Sequence, residues 1–453
     1  MTSFPTRIGR ALALISVTAA VLLLPSGAGA APLTIGIQSD NMLLDDAATR
    51  SAELDRLKAA GTKIIRVTLG WHRVAVGPCA AQTLTQLQDP TNACYDWTLY
   101  DDLVLQSTRR GIPLIFSVHQ IPPYVLNSSN PYFMGSTERA FNTRVVPHWA
   151  AFAKAAARRY NSSSVYGNVR RWTVGNEPNS AFFWQPMNAN APKRYARLFR
   201  AVAPAIFASN SRAQVAAGPT GPRSTMKPVR WLRIALPAMQ RNGSGRFLSA
   251  WSHNTYPKGT LSPRTLKTNP PSIDVTNMKD LYKELDAFRA TRKKPVWVLE
   301  YAYQTNPPDR LFGVGWTNQA TYLAEGFDMH NDGRTKIVIW YVSRDPANLV
   351  DWQSGLWDKF GRRKPSLAMY MRPVARSAAR VRRGERVNVF GMSLARPGRQ
   401  TLQYSYNGRN WRAVPGQRRS GATVRASIRM TRQLKVRTVD PAGRGPARLI
   451  RVG

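Results

Sequence analysis

Cysteine is nearly missing from this chain. Cys79 and Cys94 are the only two among 453 residues. Without nearby histidines they make a poor zinc site, and no cluster of His, Asp and Glu elsewhere reads as a metal site, so no metal or organic cofactor is expected. Acidic residues are also scarce, 25 against 65 basic ones. The excess of positive charge suggests anionic partners and bears on association and solubility, not on fold. Arginine far outnumbers lysine, so genomic composition is a second source of the bias. Long apolar runs are missing after the N-terminus. No later stretch approaches 18 apolar residues, so no transmembrane segment is expected once the leader is removed. There is no internal repeat, no long low-complexity linker and no glycine-rich phosphate turn after the first strand-like run.

What is present starts with a leader. Arg7 and Arg10 precede an apolar run from Ala11 to Leu24, then Pro25 and Ala28-Gly29-Ala30. A charged start, an apolar stretch and a small-residue site read as a secretory signal peptide over residues 1–30, with an uncleaved anchor as the alternative. The run is short for a membrane span. The expected localisation is secreted, possible cell-surface association included. In an oxidising compartment Cys79 and Cys94 are expected to pair. Closing a loop of that length stabilises by about 3 kcal/mol in the chain-entropy view.

After the leader, eight β-rich runs alternate with helix-like segments. The runs are Leu33–Gln38, Lys63–Leu69, Pro113–His119, Arg170–Asn176, Ala213–Gly218, Leu248–Asn254, Pro295–Glu300 and Thr335–Tyr341. The segments after Asp46 and from Phe141 to Tyr160 read as helices, the first stopped by Gly61. Near-continuous apolar strands separated by helices mean a parallel sheet buried on both faces. Eight such units predict an α/β fold, a (β/α)8 TIM barrel over residues 31–372. An open doubly wound sheet is the alternative, without its phosphate turn. From 373 to 453 the strands shorten and alternate, with Asn407-Gly408 as a turn signal. This predicts a small all-β, Ig-like sandwich. It carries 19 basic and 2 acidic residues, so the charge is denser here than in the barrel.

A barrel places its chemistry at the C-terminal strand ends. Run 4 ends Asn176-Glu177-Pro178, and run 7, KPVWVLEYAYQT, carries Glu300 at its end. Glu-Pro after a strand is also an ordinary turn. Two glutamates on one rim have a use: one carboxylic acid for a leaving oxygen, one carboxylate for an anomeric carbon.

With those residues in view, the stretch from 33 to about 372 resembles the retaining (β/α)8 glycoside hydrolases of clan A, cellulase-like, similar to glycoside hydrolase families 5 or 39. The resemblance implies Glu177 as acid/base, Glu300 as nucleophile and Asn176 as the partner of the sugar 2-hydroxyl. It implies Arg66 as the arginine steadying the nucleophile, His119 as a sugar-binding histidine and Trp340 as a sugar platform. For Arg66 a structural ion pair, and for His119 and Trp340 core packing, are the plainer roles. Run 6 usually carries His-x-Tyr in that clan; here WSHNTYP puts Asn254 two before Tyr256, with His253 off register. Either the strand bulges or Asn254 takes the polar role. Run 7 also departs, with Leu299-Glu300-Tyr301-Ala302 where relatives often read Thr-Glu-Phe-Gly. Trp71, Phe183 and Trp184 lie just past strand ends and are candidates to line subsites. The expected function is a secreted retaining β-glycosidase acting on a β-linked oligo- or polysaccharide. The alternative is a non-catalytic carbohydrate- or wall-binding protein on a degenerate barrel. The expected partners are the carbohydrate and an anionic cell-surface polymer met by the basic C-terminal domain, with no specific nucleic acid.

Overall fold

The computed structural model describes residues 33–453; the expected signal peptide lies outside them. Eight parallel strands make the central sheet: β1 (Thr34–Gln38), β2 (Ile65–Gly70), β3 (Leu114–His119), β4 (Arg171–Val174), β5 (Gln214–Ala217), β6 (Trp251–Asn254), β7 (Val296–Tyr301) and β8 (Thr335–Tyr341). Their order is β5-β4-β3-β2-β1-β8-β7-β6. Parallel bridges Ala216–Ala250 and Thr220–His253 join β5 to β6 and close the barrel. Helices follow the strands on the outside, among them Thr98–Arg109, Val146–Arg159, Ala191–Ser209 and Trp316–His330. The helix Ala47–Ala59 begins where the Asp46 carboxylate accepts the Thr49 N–H at 2.9 Å, a standard N-cap.

Strand alternation sorts side chains into two layers. Ile64, Ile115, Ala216, Ala250, Trp297, Leu299, Ile337 and Ile339 fill the barrel interior. The odd-facing set, including Val67, Phe116, Trp172, Val298 and Trp340, packs against the helices. Toward the C-terminal rim the inward positions turn polar: Arg66, Thr68, Ser117, His119 and Thr173 are all buried. Cys79 and Cys94 form a disulfide with Cα atoms 5.0 Å apart, in the loop following β2. Among the described residues no helix is long and apolar enough to cross a membrane.

The last barrel-side helix, Pro365–Met371, runs directly into the all-β sheets, whose first strand is Val374–Arg376. One sheet has four strands and the other six. Asn407 and Gly408 sit in the turn joining Thr401–Ser405 to its antiparallel neighbour Arg412–Ala413, with Gly408 at φ +78°. The two sheets include short strands such as Arg418–Ser420 and Gly443–Arg444.

Arg372 pins the junction. Its Nε and Nη2 donate to the two Asp440 oxygens at 3.0 Å each, and Ser393 Oγ donates to Oδ2. Burial works against the Asp440 charge, but the Ser393 and Arg372 hydrogen bonds outweigh it and hold the carboxyl below its ordinary range. The Asp440→Asn substitution therefore strands a buried guanidinium and is expected to cost roughly 3 kcal/mol, read by urea denaturation. Because the folded pKa is depressed, the wild-type contribution is present at neutral pH and disappears as pH falls through the carboxylate range. An unchanged midpoint at pH 7 would contradict this role.

Candidate active site

Glu177 and Glu300 reach the same cavity, of about 510 Å³, at the C-terminal rim of the barrel. Neither gets there by simple alternation. On β7, Val298 pairs with His253 and Glu300 with Asn254, so Leu299 is an extra residue relative to β6. Against β8, Val298 pairs with Val338 and Tyr301 with Trp340, which confirms the bulge. A bulge re-aims side chains: Leu299 stays in the barrel interior while Glu300 also turns inward. On β4 the strand stops at Val174 because Gly175 takes φ +79°, and Glu177 itself sits at φ +34°. A non-glycine residue there is strained.

The strain is held by a clamp. Asn179, fully buried, accepts the Gly221 N–H at 2.7 Å and donates to the Gly221 and Met226 carbonyls at 3.0 and 2.9 Å. This ties the loop after β5 beneath Glu177. A Cβ on Gly221 would lie 2.4 Å from Glu177 Oε2 and push the carboxyl aside. The same loop brings Ser224 Oγ to donate to Glu177 Oε2 at 3.2 Å. Asn254 Nδ2 donates to Oε1 at 2.7 Å.

Glu300 accepts from Arg66 Nη1 on Oε1 and from Tyr256 Oη on Oε2, the latter at 2.7 Å. Arg66 also donates to Gln38 at 2.6 Å, to Ser117 at 3.0 Å and to Asn176 Oδ1 at 2.7 Å. One guanidinium thus orients the strand 7 carboxylate and the residue preceding Glu177 together. Glu177 lies in a different field. Desolvation first, and the Glu300 charge second, raise its pKa to about 7, against the opposing pull of Asn254, Ser224 and Arg66.

Around the pair, one flank is polar. Gln38, Asp40, Thr68, His119 and Gln120 line it. His119 is pushed down to about 3 by burial and by the Arg66 and His72 charges, so its imidazole is neutral at pH 7. Its Nε2 meets Thr68 Oγ1 at 3.3 Å and its Nδ1 has no partner. Tyr132 lies over the His119 ring at 6.1 Å and meets Phe183 edge-on. The other flank is aromatic: Trp352 packs on Tyr256 at 4.3 Å and edge-on to Tyr341 at 5.9 Å.

Glu177, Glu300, Asn176, Arg66, His119, Tyr256 and Phe183 therefore line one cavity. Asn254 is fully buried behind Glu177 and touches it rather than open space. His253 points elsewhere, to Thr220 Oγ1 at 2.8 Å and the Ile273 carbonyl at 3.0 Å. The irregularity is the bulge on β7, and Asn254 takes the polar position. Trp340 requires correction. It is fully buried, donates to the Ser354 carbonyl at 2.9 Å and packs against Tyr301, so it presents no platform. Counting by two from Ile337 and Ile339 makes Tyr341 the inward residue of β8. Trp71 and Trp184 are also core side chains, packed on Phe152 and Tyr195. Arg223, Ser224 and Trp352 come from loops; the sequence signal for them was only their place after a strand end. Among the described residues no group of three or more His, Cys, Asp or Glu is arranged to hold a metal ion.

The architecture is a (β/α)8 barrel with two glutamates on its C-terminal rim, followed by a β-sandwich. No protein-family model and no curated protein matches the chain. Solved structures do. A family 39 glycoside hydrolase from the gut symbiont Bacteroides cellulosilyticus aligns with TM-score 0.58 and 15% identity, over 91% of this chain and 81% of that one. A monomeric beta-xylosidase from Caulobacter crescentus gives 0.56 and 16%, over 94% and 98%. A glucosidase from Croceicoccus marinus gives 0.57 and 11%, over 94% and 96%. The likeness is one of fold, and it extends through both the barrel and the sandwich.

Direct titration of the Glu177 carboxyl, by its infrared band against Glu177→Gln, is expected to give an apparent pKa near 7. In Glu300→Gln that value is expected to fall, because a charge that raises it has gone. A value that stays put would show that the two carboxyls do not feel each other.

Proposed function

We propose that this protein is a glycoside hydrolase, a secreted retaining β-glycosidase acting on a β-linked oligo- or polysaccharide. The observation that carries the reading is the unequal pair. Glu177 is held half-protonated near neutrality by burial and by Glu300, while Glu300 accepts from Arg66 and Tyr256 on both oxygens. The shared fold of the family 39 enzyme supports it. The leader over residues 1–30 supports export.

In this mechanism the Glu177 proton passes to the glycosidic oxygen as that oxygen leaves carbon 1. A Glu300 oxygen forms the new bond to carbon 1, giving a glycosyl ester. Water then attacks carbon 1, gives its proton to the Glu177 carboxylate and releases Glu300. Asn176, fixed by Arg66, is placed to donate to the sugar 2-hydroxyl. The neutral His119 and the Gln38 and Asp40 side chains read other hydroxyls. Asn254 and Ser224 are positioning residues for the acid.

Aryl β-glycosides with xylose, glucose, galactose and mannose, backed by β-linked oligosaccharides, test the reading. Turnover is expected to fall by roughly 10²–10⁴ in Glu177→Gln and to background in Glu300→Gln. Azide is expected to rescue the former, and the first sugar released to be the β anomer. The α anomer would mean inversion. Silence of the wild type across both panels would hand the lead to a non-catalytic binding protein. The acid sets the alkaline limb, so kcat/KM is expected to decline above about pH 7. Asn254→Ala removes a hydrogen bond that lowers the Glu177 pKa and is expected to move that limb upward.

The basic sandwich supports a second role, attachment to an anionic cell-surface polymer. Arg386 faces Arg429 across antiparallel strands, and Arg418 faces Arg425, whose guanidinium pairs with Asp328 at 2.7 Å. Like charges directly opposite destabilise a sheet, and an anion laid across them relieves this. Binding to polygalacturonate is expected to weaken steeply with salt and to drop in Arg386→Ala/Arg418→Ala/Arg429→Ala. Equal loss on replacing three arginines elsewhere in the sandwich would reduce the effect to net charge.

A further inference from the structure

The cleft continues past Trp352. A second cavity of about 640 Å³ opens there and shares Arg223, Tyr256 and Trp352 with the first. Its character is different. Twelve large hydrophobic side chains stand exposed among the described residues, and five of them line this one cavity: Leu311, Phe312, Leu349, Val350 and Trp352. Leu311 is 81% and Val350 88% exposed, values that nothing in the fold requires. A contiguous apolar patch beside a cleft marks a binding surface.

The two loops that carry these residues are built rather than loose. Asp309 accepts the N–H groups of Leu311 and Phe312 at 2.8 and 3.0 Å, fixing that tip. Gln353 donates to the Asn348 carbonyl at 2.8 Å, bracing the Leu349-Val350 tip. The loops also bond to each other, Thr305 N–H to the Gln353 carbonyl at 2.9 Å and Gln353 N–H to Gln304 at 3.0 Å. The wall is therefore held open and apolar.

A sugar needs hydrogen-bonding groups, and those gather on the opposite flank, at Gln38, Asp40, Thr68 and His119. At the junction stand Arg223, next to the Ser224 that bonds Glu177, Tyr256, which bonds Glu300, and Trp352, all across the cleft from that hydroxyl-reading flank. With the sugar read by the polar flank, the second cavity falls to the leaving-group side. We infer that it takes the alkyl or acyl chain of an amphiphilic β-glycoside, carried on the leaving group, in place of further sugar units. This rests on the glycosidase reading and names its substrate class.

The test is kcat/KM for methyl, butyl and octyl β-glucosides and β-xylosides, each below its micelle concentration. Burial of a methylene is worth roughly fourfold in affinity, so a rise of about tenfold or more from methyl to octyl is expected even with partial burial. In Leu311→Ser/Phe312→Ser/Leu349→Ser/Val350→Ser the rise is expected to collapse; Leu349→Ser/Val350→Ser alone serves if the fourfold variant misfolds. A flat series, or a rise untouched by the substitutions, overturns the inference and leaves the glycosidase reading standing. So does a chain effect confined to 6-O-octanoyl aryl glycosides, or faster cleavage of oligosaccharides than of octyl glycosides. If neither sugar series is cleaved, calorimetric binding of octyl against methyl glycosides to Glu177→Gln decides. Chain-dependent binding lost in the serine variant upholds the chain site. Equal binding of the two, with association instead to phosphatidylcholine vesicles, makes the wall a membrane contact and overturns it.

Discussion

The Arg66 guanidinium is the interaction on which the rim depends. It is almost fully buried and reaches Gln38 on β1, Ser117 on β3, Asn176 beyond β4 and Glu300 on β7. Burying a charge costs several kcal/mol unless its donors are met. Here they are met by the groups whose positions matter for chemistry. Thr173 extends the array by donating to Ser117 at 2.9 Å. The apolar layer beneath, from Ile64 to Ile339, excludes water and keeps these bonds strong. A lysine could not replace this geometry, because a point charge lacks the planar fork that spans four strands.

The two glutamates show what a sequence pattern can and cannot convey. The eight runs were legible because strands buried on both faces read as continuous apolar stretches. Their C-terminal ends gave the rim, and so Glu177 and Glu300 as candidates. Aim was not legible. A period of two would turn Glu300 out of the barrel; only the extra residue at Leu299, visible in pairing with both neighbours, turns it in. Glu177 is likewise delivered by left-handed backbone at Gly175 and at itself. On β8 the regular period held, and it favours Tyr341 over Trp340. Loop residues stayed hidden for another reason: the path of Arg223 and Ser224 is set by Asn179, a buried clamp that looks like any loop asparagine.

Charge imbalance shapes the rest of the molecule. With 65 basic and 25 acidic residues, carboxylates are the limiting partner. They are placed where orientation counts. Asp440 locks the barrel–sandwich junction through Arg372, and Asp328 pairs with Arg264 and, at 2.7 Å, with Arg425. On the four-stranded sheet Arg386 and Arg429 remain opposed. A fold that spends its few acids at the seam and leaves guanidiniums facing each other on the surface tolerates self-repulsion where an outside anion can relieve it.

The apolar wall and the acid are one electrostatic problem. Desolvation is the largest influence raising the Glu177 pKa, ahead of the Glu300 charge. Whatever fills the space beside Arg223 and Trp352 removes water from the same neighbourhood. An apolar occupant does so without bringing hydrogen bonds that would favour the charged carboxylate, whereas a hydroxyl-rich one would partly undo the shift. In the proposed glycosidase the leaving-group side is where hydrophobic binding and acid catalysis would reinforce each other: a chain that gains from leaving water would also keep the proton on Glu177.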